Sequence, residues 1–338
     1  MNIHQWRSQI KKFNESFENH TEIREQWEKH SEQNLHRLNK KNSIWNLEDA
    51  YFKGKEKAMI LVGASPCLKD DVHKLHDIDD NFCIVCANSS LKFLLRNGIT
   101  PKYCIALDAD DIDIPQHLDV DTDEVTLLAS TAVAPKALDQ WKGSIYYMPY
   151  YSVSVPLRRK IRYRLGKGIP GGGNSMTQAF YVVTVLFGSK TVIFVANEYC
   201  FDSKKNYYAD TKAAKQEKLT TLYPAVDVLG RNRWTLPAHY NYVIWQEKVC
   251  KDLSPPGYFI DTSFGLLGKD CDKIHHMELS EAIEKVKHAF EMRDILNSKD
   301  EKERVHILEK IRGQNEQSDV YRYNMHEQRE RIMQLVRS

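Results

Sequence analysis

The chain has 338 residues, enough for one large α/β domain with helical additions or for two domains. Its 48 basic and 46 acidic residues leave a formal charge of only +2, which argues against a strongly basic nucleic-acid binder but allows a local basic patch. No apolar run reaches the roughly 18 residues that span a bilayer, and the opening MNIHQWRSQIKKFNE lacks the apolar region of a secretory signal, so the expected location is the cytoplasm.

Up to about residue 50 the chain is rich in Glu, Lys, Asn and Gln. Trp6, Phe13, Phe17, Ile23, Trp27 and Leu35 recur there at helical intervals, which predicts one or two amphipathic helices lying against the body. From Ala58 the texture changes to short apolar runs separated by helical patterns. AMILVGASP reads as a buried parallel strand entering a loop, LKDDVHKLHDI as a helix, and FCIVCANSS as a second strand. The C-x-x-C of Cys83 and Cys86 falls inside that second run with no partner pair at zinc spacing, so both are read as strand thiols. Seven scattered cysteines do not form a disulfide framework. SLKFLLRNG is a helix closed by Gly98, PKYCIALDADD a third strand ending in acids, VTLLAST a fourth, PKALDQW a helix and GSIYYMPYY a fifth strand.

A basic stretch follows (Arg158, Arg159, Lys160, Arg162, Arg164), then three glycines, a helix over Ser175 to Phe187 and the strand KTVIFVANE. Residues 203–225 read as a polar excursion, Ala238 to Leu253 as a helix, GYFIDTS as a strand, and LSEAIEKVKHAF as a helix. Strands alternating with helices at this spacing predict an α/β fold with a mostly parallel, doubly wound sheet. The expected division is a helical N-terminal extension over 1–56, a catalytic domain over 57–290, and a helical tail over 291–338. In that tail Val305, Leu308, Ile311, Ile332 and Leu335 form an apolar stripe that fits either self-association into a homo-oligomer or packing on the core.

Ligands of open parallel sheets bind outside the carboxyl ends of the strands. Those ends read Gly63-Ala64-Ser65-Pro66, Ala87-Asn88-Ser89-Ser90, Asp108-Ala109-Asp110-Asp111, Ser130-Thr131 and Asn197-Glu198, all small, polar or acidic. The run Gly171, Gly172, Gly173, Asn174 and Ser175 suits a phosphate at a helix start, or else is a flexible loop with a capping residue. It matches neither G-x-x-x-x-G-K-[ST] nor G-x-G-x-x-G. Asp108, Asp110 and Asp111 suit a divalent cation or sugar hydroxyls, with a solvated acidic turn as the alternative. Glu198 suits ribose hydroxyls or caps a turn, and Asn88 suits a base or phosphate or caps a helix. Of 13 histidines, His239 in LPAHYNY is the candidate general base, since an unperturbed imidazole accepts a proton near neutrality.

These residues together resemble the motility-accessory-factor group, which shares its core domain with the archaeal 6-hydroxymethylpterin diphosphokinase. ILVGASPCLKDDVHKL resembles that group's opening strand and loop, and CANSSLKFLLRNGITPKYCIALDAD its strand, helix and acidic strand end. LLASTAVAPKAL is similar to its strand-Pro-helix segment, and GGGNSMTQAFYVVTVLFGSKTVIFVANEYCF to its Gly-rich turn, helix and strand. VDVLGRNRWTLPAHYNYVIWQEKV and YFIDTSFGLLGK look like the later elements, so the ordered match spans about Lys57 to Val286. The resemblance implies a Rossmann-like fold related to bacterial CMP-sialic acid transferases. It implies a nucleotide loop at Gly63, Ser65 and Pro66, with Asn88 and Asp108 lining the cleft. Gly172, Gly173, Asn174 and Ser175 would meet the phosphate or base, and Glu198 would face the nucleotide. The chain departs from the family pattern at Ala64-Ser65, at Ala196 for Gly, at Glu198 for Asp and at Asp261 for Asn.

The activity so implied is a glycosyltransferase with a nucleotide-sugar donor, a CMP-linked nonulosonate favoured, and with Tyr147, Tyr150, Tyr151 and the basic stretch neutralising the departing phosphate. The acceptor is a protein, a glycan or, because similar short proteins occur in phage genomes, a modified DNA base. The alternatives are an ATP-dependent diphosphokinase with Mg2+ held by Asp108 and Asp110, and a non-catalytic nucleotide-binding interaction protein.

Overall fold

Strand β1 (Ala58–Val62) is an unbroken apolar run whose five residues are all buried. Such a strand needs cover on both faces, the situation of a central strand in a parallel sheet. The computed structural model describes residues 21–47, 56–150, 152–169, 171–201, 222–254 and 256–297, and in it β1 lies inside an eight-stranded sheet. β2 (Phe82–Ala87), β3 (Tyr103–Ala106), β4 (Thr126–Ser130) and β5 (Ile145–Met148) extend from one side of β1. The chain then crosses to the other side of β1 for β6 (Thr191–Val195), with β9 (Tyr258–Asp261) and β10 (Ile274–His276) beyond it. All pairings in this sheet are parallel, and helices cover both faces. The fold is therefore the doubly wound α/β class that the alternating runs predict, and it is Rossmann-like as the resemblance implies. Its strand order reverses between β1 and β6, and that is where such sheets open a crevice.

The helices are α1 (Thr21–Gln33), α2 (Leu68–Asp71, continued by a tighter turn to Asp77), α3 (Asn88–Arg96) and α4 (Asp113–Leu118). They continue as α5 (Pro135–Gln140), α6 (Val155–Leu165), α7 (Ser175–Tyr181), α8 (Pro237–Asp252) and α9 (Leu279–Asn297). The end of α3 shows how local chemistry sets a boundary. Gly98 sits at φ +72°, and the amides of Gly98 and Ile99 return to the carbonyls of Leu95 and Leu94 at 3.1 and 3.0 Å, closing the helix with a Schellman motif. Under the sheet, Phe180 of α7 packs on Phe194 and Phe259 with ring centroids 5.4 and 5.5 Å apart, so one aromatic ties the helix to β6 and β9.

Several elements depart from the sequence reading. The basic stretch is the helix α6, whose Leu157, Ile161 and Leu165 are buried at helical spacing while Arg158, Arg159, Lys160 and Arg162 face solvent. α4 and β10 are additional, and a separate antiparallel hairpin pairs β7 (Tyr223–Val226) with β8 (Asn232–Thr235). The helix expected to Phe187 becomes a π-turn from Val182, where Thr184 Oγ1 donates to the Phe180 carbonyl at 2.6 Å.

The chain divides into two compact units, Met1–Leu279 and Ser280–Ser338. The segment 21–47 and the sheet both belong to the first unit. Trp6, Phe13, Phe17, Tyr151, the apolar stripe after residue 300 and most of the polar excursion lie outside the described residues.

Candidate functional site

At the switch point the rims of β1 and β6 are drawn together. The Gly63 amide donates to the Val195 carbonyl at 2.8 Å and the Ser65 amide to the Ala196 carbonyl at 3.2 Å. A Cβ on Gly63 would collide with that Ala196 carbonyl and stand 3.0 Å from Asn197 Oδ1, so glycine is what lets the two loops meet. Asn197, buried, pins three strands at once. Its side-chain amide donates to the Leu61 and Val195 carbonyls at 3.0 and 2.9 Å, and its backbone amide donates to Ser263 Oγ, beyond β9, at 2.8 Å.

Glu198 follows. Its amide donates to Ser65 Oγ at 3.2 Å, and its carbonyl accepts from the Leu266 amide at 2.9 Å. Three non-glycine residues on this rim, Ala196, Tyr199 and Phe264, hold left-handed φ values of +55°, +54° and +52°. Left-handed backbone costs an L-residue about 1–2 kcal/mol, and clusters of it mark sites where the chain is held for a purpose.

The rims enclose a cleft of about 630 Å³. Pro66, Cys67, Glu198, Cys200 and the Thr262–Phe264 loop form its floor, and Asp70, Asp71, Lys74 and Glu278 one wall. Leu229, Arg231 and Arg233 of the hairpin form the other. Lys74 is committed to Asp71 at 2.7 Å and Glu278 at 3.6 Å. Asp227, its side chain wholly buried, accepts from Arg231 Nε at 2.6 Å and Arg233 Nε at 2.9 Å. Burial pushes the Asp227 carboxyl up, but the hydrogen bonds from Arg233 and Arg231 outweigh it and leave it below the ordinary value.

Glu198 is shifted the opposite way. Burial raises its carboxyl above the ordinary 4.5, and Arg233, the Cys67 thiol and Arg231 pull it only part of the way back. Burial and the charges of Glu198 and Asp71 push the Cys67 thiol far up, which removes it as a nucleophile. Under the floor, buried Asp261 accepts from the amides of Ser263 and Phe264 at 3.3 and 3.0 Å and lies 3.3 Å from His276 Nδ1. A carboxylate where the related pattern has Asn thus fixes the Thr262–Phe264 loop.

Six of the expected site residues fall into two groups. Ser65, Pro66 and Glu198 meet around the cleft with Gly63 beneath them. Asn88 and Ser175 meet further along the rim, where Ser175 Oγ donates to Asn88 Oδ1 at 3.5 Å and Asn88 Nδ2 lies 3.0 Å from His117 Nδ1. Asn174 caps α7, its side chain accepting from the Thr177 amide at 2.8 Å. Gly172 and Gly173 face α8. A Cβ on Gly172 would stand 2.6 Å from the Trp245 ring and one on Gly173 2.8 Å from Tyr242, so these glycines serve helix packing.

His239 lies outside the cleft lining. It stacks on Phe201 with centroids 5.4 Å apart beside Tyr199 and Tyr242, and burial lowers its pKa to about 4, away from the near-neutral value expected of a base. Asp108 is reached by solvent yet enclosed by protein, so desolvation raises its carboxyl and the charge of Asp110 adds to the rise. Asp110 Oδ1 accepts from the Ile112 amide at 2.7 Å at the start of α4. Among the described residues no group of three or more His, Cys, Asp or Glu side chains could hold a metal ion. Asp108 and Asp110 would offer two carboxylates, enough for magnesium only when substrate phosphates complete its shell.

Arg231, Arg233, Asp227 and Lys74 escaped the sequence reading. The available signal was the DVLGR turn, where Gly230 takes φ +80° and Asp227 Oδ1 accepts from the Leu229 amide at 3.0 Å, as a hairpin turn requires.

Comparison with known proteins gives the same fold. The chain aligns with the solved structure titled "Structure of MAf glycosyltransferase from Magnetospirillum magneticum AMB-1" at TM-score 0.50 and 12% identity, covering 75% of this chain. It spans less than half of that protein's chain, 42%. No curated protein matches the sequence. A family model described as 6-hydroxymethylpterin diphosphokinase MptE-like matches residues 29–204, a segment that includes β1 to β6 and Glu198 and ends before the arginine hairpin. The chain belongs to the 6-hydroxymethylpterin diphosphokinase MptE-like family.

Proposed function

We propose that the protein is a glycosyltransferase that moves a sugar from a nucleotide-activated donor, a CMP-linked nonulosonate favoured, to an acceptor hydroxyl. One observation carries the reading: the cleft at the β1/β6 switch point holds a carboxylate, Glu198, together with the guanidinium groups of Arg231 and Arg233. That pairing meets two needs of glycosyl transfer, a base and neutralisation of the leaving group's charge. The bond from the sugar carbon to the phosphate oxygen breaks, and a bond to the acceptor oxygen forms. The acceptor's proton passes to Glu198, and the arginines neutralise the charge left on the phosphate. Glu198 takes the role expected of His239, which stands outside the cleft. The nucleoside would lie along the rim from Ser65 and Pro66 toward Asn88 and Ser175. The acceptor, whether protein, glycan or modified DNA base, and a phage origin are further parts of this proposal on which the cleft is silent.

The family's description favours a second reading, diphosphate transfer from ATP to a hydroxymethyl heterocycle. In it Asp108 and Asp110 would hold magnesium against the ATP phosphates, and the ion would supply charge neutralisation. Thermal-shift titration with CMP, UDP and ATP, each with magnesium and with EDTA, separates the two. Stabilisation by CMP in EDTA is the expected result. A shift with ATP and magnesium alone would transfer the assignment to the diphosphokinase, and no shift with any nucleotide would remove both.

A further inference from the structure

We propose that the β7–β8 hairpin is an oxyanion receptor. Arg231 and Arg233, held at their Nε atoms by the single buried carboxylate of Asp227, present their outer edges to a phosphate or carboxylate group of a polyhydroxylated ligand in the cleft.

The hairpin is built for this. Asp227 is 2% exposed and receives four hydrogen bonds, two from backbone amides and two from the arginine Nε atoms. A carboxylate that grips two guanidiniums at Nε leaves their Nη edges for another acceptor. Arg231 gives one Nη to the Phe264 carbonyl at 3.1 Å, which ties the hairpin to the β9 rim. Among the described residues Arg233 spends only Nε on a protein partner, while its side chain, 15% exposed, lines the cleft. Since Lys74 is paired with Asp71 and Glu278, the arginines are the cations left for a ligand. The remaining charged side chains of the lining are acidic, with Asp70, Asp71, Glu198 and Glu278 able to accept from hydroxyls. A lining of this composition fits a sugar phosphate or a sugar acid. The receptor deepens the transferase reading and rests on its placement of the ligand in this cleft. It needs no metal.

Isothermal titration in EDTA tests it, with inorganic pyrophosphate and N-acetylneuraminic acid as separate probes for the phosphate and carboxylate sources. At least one probe should bind, and Arg233→Gln and Arg231→Gln should each weaken it by about tenfold or more, the worth of a charge-assisted hydrogen bond. Arg233→Lys keeps the charge and should still weaken binding. Asp227→Asn is the decisive variant, with urea unfolding to confirm that it folds. By charge alone it should tighten an anion, whereas loss of the grip on both arginines should weaken it by about tenfold. Tighter or unchanged binding in Asp227→Asn, wild-type affinity in both arginine-to-glutamine variants, or no binding of either probe would overturn the receptor. Arginine-dependent pyrophosphate binding without any nucleotide shift would keep the receptor and remove the transferase. Nucleotide binding indifferent to the arginines would do the reverse.

Discussion

Glu198 is the residue on which the proposed chemistry turns, and its environment makes a signed prediction. Burial raises its carboxyl above the ordinary 4.5 against the pull of Arg233. A base must be ionised, so the transfer rate should climb with pH through that raised value and not through the ordinary glutamate range. Glu198→Gln should lower the rate by about a hundredfold or more, abolish that limb and leave nucleotide affinity within about threefold. Stability carries an independent sign. A carboxyl raised on folding binds its proton more tightly in the native state, so its contribution is present at acid pH and lost as pH rises from the unfolded to the folded value. Urea unfolding should therefore show Glu198→Gln gaining on the wild type across that window. A variant that loses stability relative to the wild type as pH rises would refute the raised carboxyl, and an unchanged pH–rate profile would refute the base. Neighbouring Ala196 was legible as a departure from a related glycine pattern, and its φ of +55° gives the reason that glycine suits the position. Sequence pattern does not carry backbone angle, so the departure alone named no cause.

Elements were legible where apolar pattern is strong and poorly legible where it is not. β1 and β6 are continuous apolar runs, and their expected positions hold within a few residues. β7 and β8 have four residues each, with exposed side chains at every second position, but YPAV and NRWT carry no matching apolar–polar alternation, so the hairpin and its arginines went unassigned. The glycine run is the instructive middle case. Its composition suits either a phosphate or a helix start, and only the packing of α7 on α8 separates these. The Trp245 and Tyr242 rings occupy the space that side chains at Gly172 and Gly173 would need. Gly172→Ala should therefore cost about 1–3 kcal/mol by overpacking. Denaturant unfolding measures that cost, and nucleotide titration of the folded fraction should find affinity unaltered. Undiminished stability with weakened nucleotide binding would return the glycines to the phosphate.

At the scale of the whole first unit, the alternation of strands and helices made the sheet legible but not its order. Nothing in the run of elements says that β6 returns beside β1, and that reversal creates the cleft. The helical spacing of Trp27 and Leu35 predicts that the segment 21–47 lies against the body, but not which loop anchors it. Asn34, fully buried, donates both hydrogens of its amide to the Thr131 and Val133 carbonyls at 3.0 and 2.8 Å, in the loop after β4. Trp27 packs on Tyr150 with centroids 4.6 Å apart, and Ser43 bridges Tyr147 on β5, the edge strand, which blunts an edge open to pairing. Replacing Asn34 by Ala leaves two buried carbonyls without donors, at about 1–3 kcal/mol each. The expected loss is thus about 2–4 kcal/mol in urea unfolding, with the two costs partly shared through local rearrangement. Because β4 and β5 lie on the far side of β1 from the arginine cleft, pyrophosphate affinity of the folded variant should equal that of the wild type. A loss below about 1 kcal/mol would mean that the segment decorates the sheet, since one uncompensated carbonyl already exceeds that. A loss of anion affinity at full stability would mean that the two ends of the sheet communicate.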